Sequence, residues 1–436
     1  MTITAFSGGS RRQDQGGTPC PPGRSTRTPA DEILHVLLGT EEGRQDPYLL
    51  YKALRNIAPL FRSELDGHWY ASRYDDCKAI LVDPRAGRGP GMISRYGQNP
   101  ALAERFRRRM RMTMIMHDPP EHTRLRGVVS RAFTPRRVAG LGERIAALLE
   151  PMLDRMADEG EVDFMAVLAF RLPVAVIGEL VGVPAEEREQ FRELVRITNR
   201  ASEVGATTAD LEAADRAIEY QDAYFADLVA RKREEPDDGL LSALIEIRDS
   251  GGPLSEDEMV ATGRLLFGAG FVTTTNLIGN GMVTFFRHPG EMARFWANPG
   301  PLAATAVDEI LRYESVVQTN GRWVYEPVEL SGPSGEKTAI GAGEVVIPLI
   351  GGANRDPERF PDPERFDVAR RGEMPLTFGW GIHHCLGAPL ARLEAQIVFT
   401  RLAERFARIE PAGMIPRFTT TFLRGVPSLP VRVTPR

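Results

Sequence analysis

One helical pattern runs unbroken from Ser255 to Arg287 and sets the scale of any fold this chain adopts. It opens on Ser255-Glu256-Asp257-Glu258, a capping box with serine at the N-cap and glutamate three residues on. It stops at His288-Pro289-Gly290, where proline and glycine end a helix. About 32 residues at roughly 1.5 Å each make a rod of roughly 48 Å, enough to cross a whole domain. Other segments repeat the pattern. Residues 31–56 read as helical, with Ile33, Leu34, Leu37 and Leu38 on one side, and a second helix starts near Asp75. Residues 143–158 carry Ile145, Leu148, Leu149, Met152 and Met156 at helical spacing, residues 210–234 form a charged amphipathic helix, and a last helix covers about 388–407. β-patterns are short: a hairpin over 59–73 turning at Asp66-Gly67, and a glycine-punctuated stretch over 322–350. The expected class is mainly α with small β-sheets, as a single domain over residues 31–436.

The first 30 residues are rich in Arg, Gly and Pro and lack a continuous apolar run. They are expected to form a disordered or loosely attached leader rather than a signal peptide. No stretch of 18 apolar residues is present, so no membrane span is expected. The net charge of −5 argues against a nucleic-acid partner. Three cysteines (Cys20, Cys77 and Cys385) are too few and too odd for a disulfide framework and suit a reducing cytoplasm.

The chemistry concentrates at Leu376-Thr-Phe-Gly-Trp-Gly-Ile-His-His-Cys385-Leu-Gly387, directly before a helix. A cysteine at a helix N-terminus has its thiolate favoured by the helix dipole and free N–H groups. Gly379 and Gly381 let the backbone approach a flat ligand closely. Such geometry suits a thiolate on an iron macrocycle. Zinc on His383, His384 and Cys385 fits less well, because adjacent residues do not easily close a tetrahedron and no C-x-x-C partner exists. A merely buried structural cysteine does not call for so many glycines.

Phe378-x-x-Gly381-x-His383-x-Cys385-x-Gly387 resembles the haem-binding loop of the cytochrome P-450 haem-thiolate monooxygenases, and the resemblance extends from about residue 31 to the end. It implies the cytochrome P-450 fold, with haem b held between a long central helix and the loop carrying Phe378, Gly379, Cys385 and Gly387. By resemblance Cys385 is the iron ligand, His383 hydrogen-bonds a haem propionate, and Phe378 packs beside the thiolate. Glu309-Ile-Leu-Arg312 resembles the family's E-x-x-R pair, and Pro363-Glu364-Arg365-Phe366 the segment supplying a second arginine. Glu309, Arg312 and Arg365 are then expected to form a buried charge cluster. Asp118-Pro-Pro-Glu-His122-Thr-Arg-Leu-Arg126 resembles the helix flanking the haem, and Arg322 the propionate-binding arginine after the E-x-x-R helix. His122 and Arg126 share one helix face. With Arg322 and His383 they make four donors for the propionates, which need partners when buried.

On the oxygen side, Ala269-Gly270-Phe271-Val272-Thr273 resembles the family's A-G-x-(Asp/Glu)-Thr. Ala269 and Gly270 would thin the helix over the iron, and Thr273 would guide protons to the oxygen. Val272 stands where the family has an acid and cannot relay protons. Substrate hydroxyls, ordered water or another side chain could replace the acid, or the reaction could need less help with O–O cleavage. Thr274 and Thr275 are expected to bond back to i−4 carbonyls. Phe271, Val272, Val316, Val317 and Phe422 suggest an apolar substrate pocket. The run Arg105-Phe-Arg107-Arg108-Arg109-Met-Arg111 reads as a solvated basic face, or as a site for an acidic substrate or a phosphopantetheine carrier protein.

The implied activity inserts one atom of dioxygen into a small organic substrate, with electrons from a separate ferredoxin and ferredoxin reductase. The implied setting is polyketide or peptide specialised metabolism in the cytoplasm. Aryl coupling without oxygen insertion is the alternative reaction, and a non-catalytic haem sensor the alternative class.

Overall fold

A computed structural model describes residues 27–89, 100–201, 203, 206–332 and 336–436. The long helix spans Glu256–Arg287. Ser255 Oγ accepts the Glu258 N–H at 3.2 Å, and the Glu258 carboxylate accepts the Ser255 N–H at 2.8 Å, closing the capping box. Every residue from Asn276 to Phe285 is buried, so this half of the helix runs through the core. The helices Arg171–Val181, Thr208–Glu234, Pro299–Tyr313 and Ala388–Arg405 pack against it. Phe285 and Phe399 lie in this core with ring centroids 5.5 Å apart.

The largest sheet runs in the order Leu60–Arg62, Trp69–Ala71, Val345–Pro348, Arg322–Val324, Ala86–Gly87. Its one parallel pairing sets Tyr70 against Ile347, and Arg322 pairs with Val346. That pairing fixes where the Arg322 side chain starts. The hairpin turns at Gly67, whose φ of 73° suits glycine. A three-stranded sheet joins Glu161–Asp163, Pro430–Pro435 and Phe406–Pro411, and Val328–Ser331 pairs with Lys337–Ile340.

Three boundaries differ from expectation. Residues 31–56 form three helices, Pro29–Gly39, Glu41–Gln45 and Tyr48–Ile57. Thr40 makes the first break, since its hydroxyl accepts the Gly43 N–H at 3.1 Å and caps a new helix. The first helix begins at Pro29, with Thr28 as N-cap and Ala30 buried, so the folded chain starts before residue 31. The remainder of the expected leader, residues 1–26 with Cys20, lies outside the described residues. The 210–234 helix starts earlier, at Thr208, behind a second capping box formed by Thr207 and Asp210. Among the described residues no helix is long and apolar enough to cross a membrane.

Candidate active site

The cysteine loop begins with a short turn, Leu376–Phe378, and is shaped by two left-handed glycines. Gly379 has φ 68° and ψ −168°, a conformation open to glycine alone. Gly381 has φ 71°, and a Cβ there would lie 2.7 Å from the Leu81 carbonyl oxygen. Gly381 therefore seats the loop on the end of the Tyr74–Val82 helix; its missing side chain makes no room for a ligand. The Cys385 N–H donates to the Phe378 carbonyl at 2.9 Å. Surrounding protein pushes the Cys385 thiol pKa up, while the N–H groups of Gly387 and Ala388 and the charges of Arg126 and Arg392 favour the thiolate. The residue nonetheless keeps an accessible face, whereas Cys77 is buried with its thiol 3.2 Å from the Ala71 carbonyl. Phe378 lies under Arg392, whose guanidinium carbon is 4.6 Å from the ring centroid.

Next to this loop, donors outnumber acceptors. His122 is buried on the helix Glu121–Ala132, and its ring meets His383 at 4.4 Å between centroids. Arg322 and Arg88 both donate to Asn320 Oδ1, at 2.7 and 3.1 Å. Burial first, and then Arg88, push the Arg322 pKa well down; burial lowers that of Arg88 to about 10. Asp118 is the acid of this group. Its carboxylate accepts the Arg88 N–H at 2.7 Å and the Tyr325 O–H at 2.9 Å, and Oδ1 lies 3.6 Å from His383 Nε2. Burial alone would raise the Asp118 pKa, but His383, the Arg88 N–H and Tyr325 together hold it at about 2. His122 Nε2, His383 Nε2, Arg88 Nε and Arg322 Nη2 are all buried without a hydrogen-bond partner. Buried donors this close together call for an anion with several acceptor oxygens. Haem propionates are such a group, so the residues present fit the cofactor. Arg126 is placed differently from these four: its Nη2 donates to the His384 carbonyl at 2.6 Å and ties its helix to the cysteine loop.

On the long helix Ala269 is exposed, and Thr273, one turn on, donates to its carbonyl at 3.1 Å. Thr274 donates to the Gly270 carbonyl at 3.2 Å, while Thr275 Oγ1 is buried without a partner. Back-bonding therefore falls on Thr273 and Thr274, not on Thr274 and Thr275. Gly270 also departs from expectation. A Cβ there would lie 2.6 Å from Ile177 Cγ1, so the glycine admits the Arg171–Val181 helix rather than clearing space over iron. Phe271 is 2% exposed and packs edge-on against Phe170 and Phe267, each 5.7 Å away, in the core rather than in a pocket. Val316 is likewise 2% exposed. Val272, Val317 and Phe422 are half-buried. Val317 bridges to Leu423, and the Gln318 N–H donates to the Phe422 carbonyl at 2.9 Å, which joins these two segments.

Glu309 and Arg312 form a buried bidentate pair at 2.7 and 2.8 Å. The second arginine is Arg370, whose Nε donates to Glu309 at 3.1 Å. The Arg365 side chain is 61% exposed and faces Asp367 at 3.9 Å; only its carbonyl joins, accepting from Arg312 at 3.2 Å. The basic run is not simply solvated. Arg105 pairs with Asp215 at 3.0 Å, and Arg109 reaches Asp215 and, at 3.8 Å, Glu219 and Asp222. Arg108 and Arg111 are exposed, and the Arg107 side chain lies outside the described residues. Sequence reasoning missed Arg88, Asn320, Tyr325 and Arg370, and did not single out Asp118. Asp118 opens the Asp-Pro-Pro turn before His122, a usable signal; Arg88 sits in no periodic pattern.

Residues 300–434 match the Cytochrome P450 family model. The chain is 41% identical to Cytochrome P450 107B1 of Saccharopolyspora erythraea over 415 residues, covering 92% of this chain and 98% of that protein. It is 36% identical to Cytochrome P450 monooxygenase PikC of Streptomyces venezuelae, covering 97% of each. The solved structure of P450BioI in complex with hexadec-9Z-enoic acid ligated acyl carrier protein is similar at a TM-score of 0.82 and 32% identity, covering 90% of this chain and 99% of that one. The chain belongs to the cytochrome P450 family. It is a haem-thiolate monooxygenase that takes an organic substrate, dioxygen and electrons from redox partners.

Proposed function

We propose that this monooxygenase hydroxylates or epoxidises a polyketide- or peptide-like substrate of specialised metabolism, with Cys385 as the sole protein ligand to iron. The observation that carries this reading is the group of four buried donors without a hydrogen bond beside Cys385, an exposed residue. Haem bound there supplies a thiolate-ligated iron that activates dioxygen with two electrons. His122, His383, Arg88 and Arg322 would hold its propionates, and Asp118 would orient His383. Arg126 would brace the cysteine loop through the His384 carbonyl. The Thr273 hydroxyl, one turn from Ala269, would accept a proton on its free lone pair and pass on its own. Val272 holds no proton, so the supply to Thr273 would come from substrate hydroxyl or water.

Electrons would come from a separate ferredoxin and its reductase in the cytoplasm. Three cysteines are too few for a four-cysteine cluster within the chain. Arg105 and Arg109 are engaged by Asp215, which leaves Arg108 and Arg111 for an acidic substrate or a carrier protein. The test is turnover with NADPH, ferredoxin, reductase and isotopically labelled dioxygen, using compounds that shift the Soret band. The reading predicts a product carrying one labelled oxygen. Loss of two hydrogens without label would indicate coupling, and absence of substrate-dependent NADPH consumption a sensor.

A further inference from the structure

Beside the cysteine loop stands an ion pair that neither the propionate site nor the charge cluster uses. Arg392 lies in the second turn of the helix Ala388–Arg405, which starts directly after the loop. Helical side chains lean toward the N-terminus of their helix, so this guanidinium reaches back over the loop. Its carbon lies 4.6 Å from the centre of the Phe378 ring, and its Nε donates to Asp308 Oδ1 at 2.8 Å. Asp308 stands on the helix Pro299–Tyr313, so the pair also ties two helices together. The Phe378 carbonyl accepts the Cys385 N–H at 2.9 Å. Asp308, Arg392, Phe378 and Cys385 thus follow one another in contact, and the fields reaching the Cys385 thiol include those of Arg392 and Arg126.

An exposed ion pair contributes little to stability. This one is partly withdrawn from water, with the Arg392 side chain 19% and the Asp308 side chain 34% exposed, and its cation lies on an aromatic face. A charge so placed acts on what the loop holds. Reduction of a thiolate-bound iron adds one negative charge, which a nearby cation favours and a nearby carboxylate opposes.

We infer that Arg392 is a positioning residue for the iron ligand: its charge, offset by Asp308, weakens electron donation from Cys385 and raises the potential at which the iron accepts its first electron. The inference rests on Cys385 being the iron ligand. Arg392 acts through Phe378 and Cys385, so its effect falls on electron uptake and not on the choice of substrate.

The test is spectroelectrochemical titration of the substrate-free holoenzyme at fixed ionic strength. Wild type is compared with Arg392→Gln, Arg392→Lys, Asp308→Asn and the double variant Arg392→Gln/Asp308→Asn. At a fixed potential Arg392→Gln should lower the ferrous-to-ferric ratio by roughly three- to tenfold and Asp308→Asn should raise it, since each leaves one charge of opposite sign unpaired. The double variant should fall between them, and Arg392→Lys should stay near wild type. The C–O stretch of the reduced carbon-monoxide complex should move down in Arg392→Gln, as stronger thiolate donation requires, and up in Asp308→Asn. A merely structural pair would shift both single variants the same way; that result, or unchanged ratios, would overturn the inference. The red-shifted Soret band keeps the two readings apart. With the band present and the ratios unmoved, Cys385 still ligates iron and this inference alone fails; absence of the band from wild type overturns the ligation itself. If Arg392→Gln does not retain haem, Asp308→Asn decides, and a potential that does not rise there overturns the inference.

Discussion

The rings of His122 and His383 meet edge to face at 4.4 Å, each with a buried Nε2 that makes no hydrogen bond, Asp118 Oδ1 standing 3.6 Å from that of His383. Burial first, and then the charges of His383 and Arg126, lower the His122 pKa to about 4, so the pair gains from a shared anion. Alanine at His122, His383, Arg88 or Arg322 should each weaken haem binding by about 1–3 kcal/mol, the loss of one donor to a buried charge. Transfer of haem to a scavenging apoprotein measures this. The thiolate spectrum should survive in each variant. Arg126→Ala should also weaken retention, by loosening the cysteine loop. Unchanged retention in all five would contradict the shared propionate site.

The charge cluster separates its arginines by burial. Arg312→Ala removes the bidentate partner of Glu309, leaves the carboxylate only Arg370 and the Asp367 N–H, and should destabilise by about 3–5 kcal/mol. Arg370→Ala removes one donor of several and should cost about 1–3 kcal/mol. Arg365→Ala touches an exposed side chain and should stay within about 0.5 kcal/mol. Urea unfolding of the three variants gives the order; equal losses for Arg365 and Arg370 would restore the sequence-based assignment.

If Thr273 passes protons as proposed, Val272 should make coupling depend on the substrate. Wild type should convert NADPH to product efficiently with the true substrate and leak peroxide with surrogates lacking its polar group. Val272→Glu should recover coupling with surrogates, because a carboxylate of pKa about 4 relays protons. The product-to-NADPH ratio decides. No change on adding the acid would remove Thr273 from the proton path.

Glu314 should shape acid unfolding. Burial raises its pKa, but Arg424 and Arg417 outweigh this and hold it at about 2, below the ordinary 4.5. A depressed folded pKa means stability present above pH 4.5 and lost as pH falls toward 2. The contribution is on the order of 3 kcal/mol. Unfolding free energies of wild type and Glu314→Gln should converge over that window; a constant gap would contradict the assignment.

The long helix was legible to the residue because its signals are local: a capping box at Ser255 and a Pro-Gly stop. The cysteine loop was legible because its spacing is rigid. What sequence could not supply was direction. Gly270 faces Ile177, and Gly381 faces the Leu81 carbonyl, since a glycine's missing side chain points wherever tertiary packing dictates. Phe271 turned to the aromatic core for the same reason. Arg370 replaced Arg365 because the segment after Pro363 sends the Arg365 carbonyl inward and its guanidinium out. Arg88 joins Arg322 only through the sheet that sets Ala86–Gly87 beside Arg322–Val324.

The central claim is that Cys385 alone ligates iron, and the spectrum of the reduced, carbon-monoxide-bound protein tests it most directly. Wild type should show the red-shifted Soret band that gives the family its name. Cys77→Ser and Cys20→Ser should keep that band, and Cys385→Ser should lose it while still retaining haem through the propionate donors. Persistence of the band in Cys385→Ser, or its loss in either of the other variants, would contradict the account.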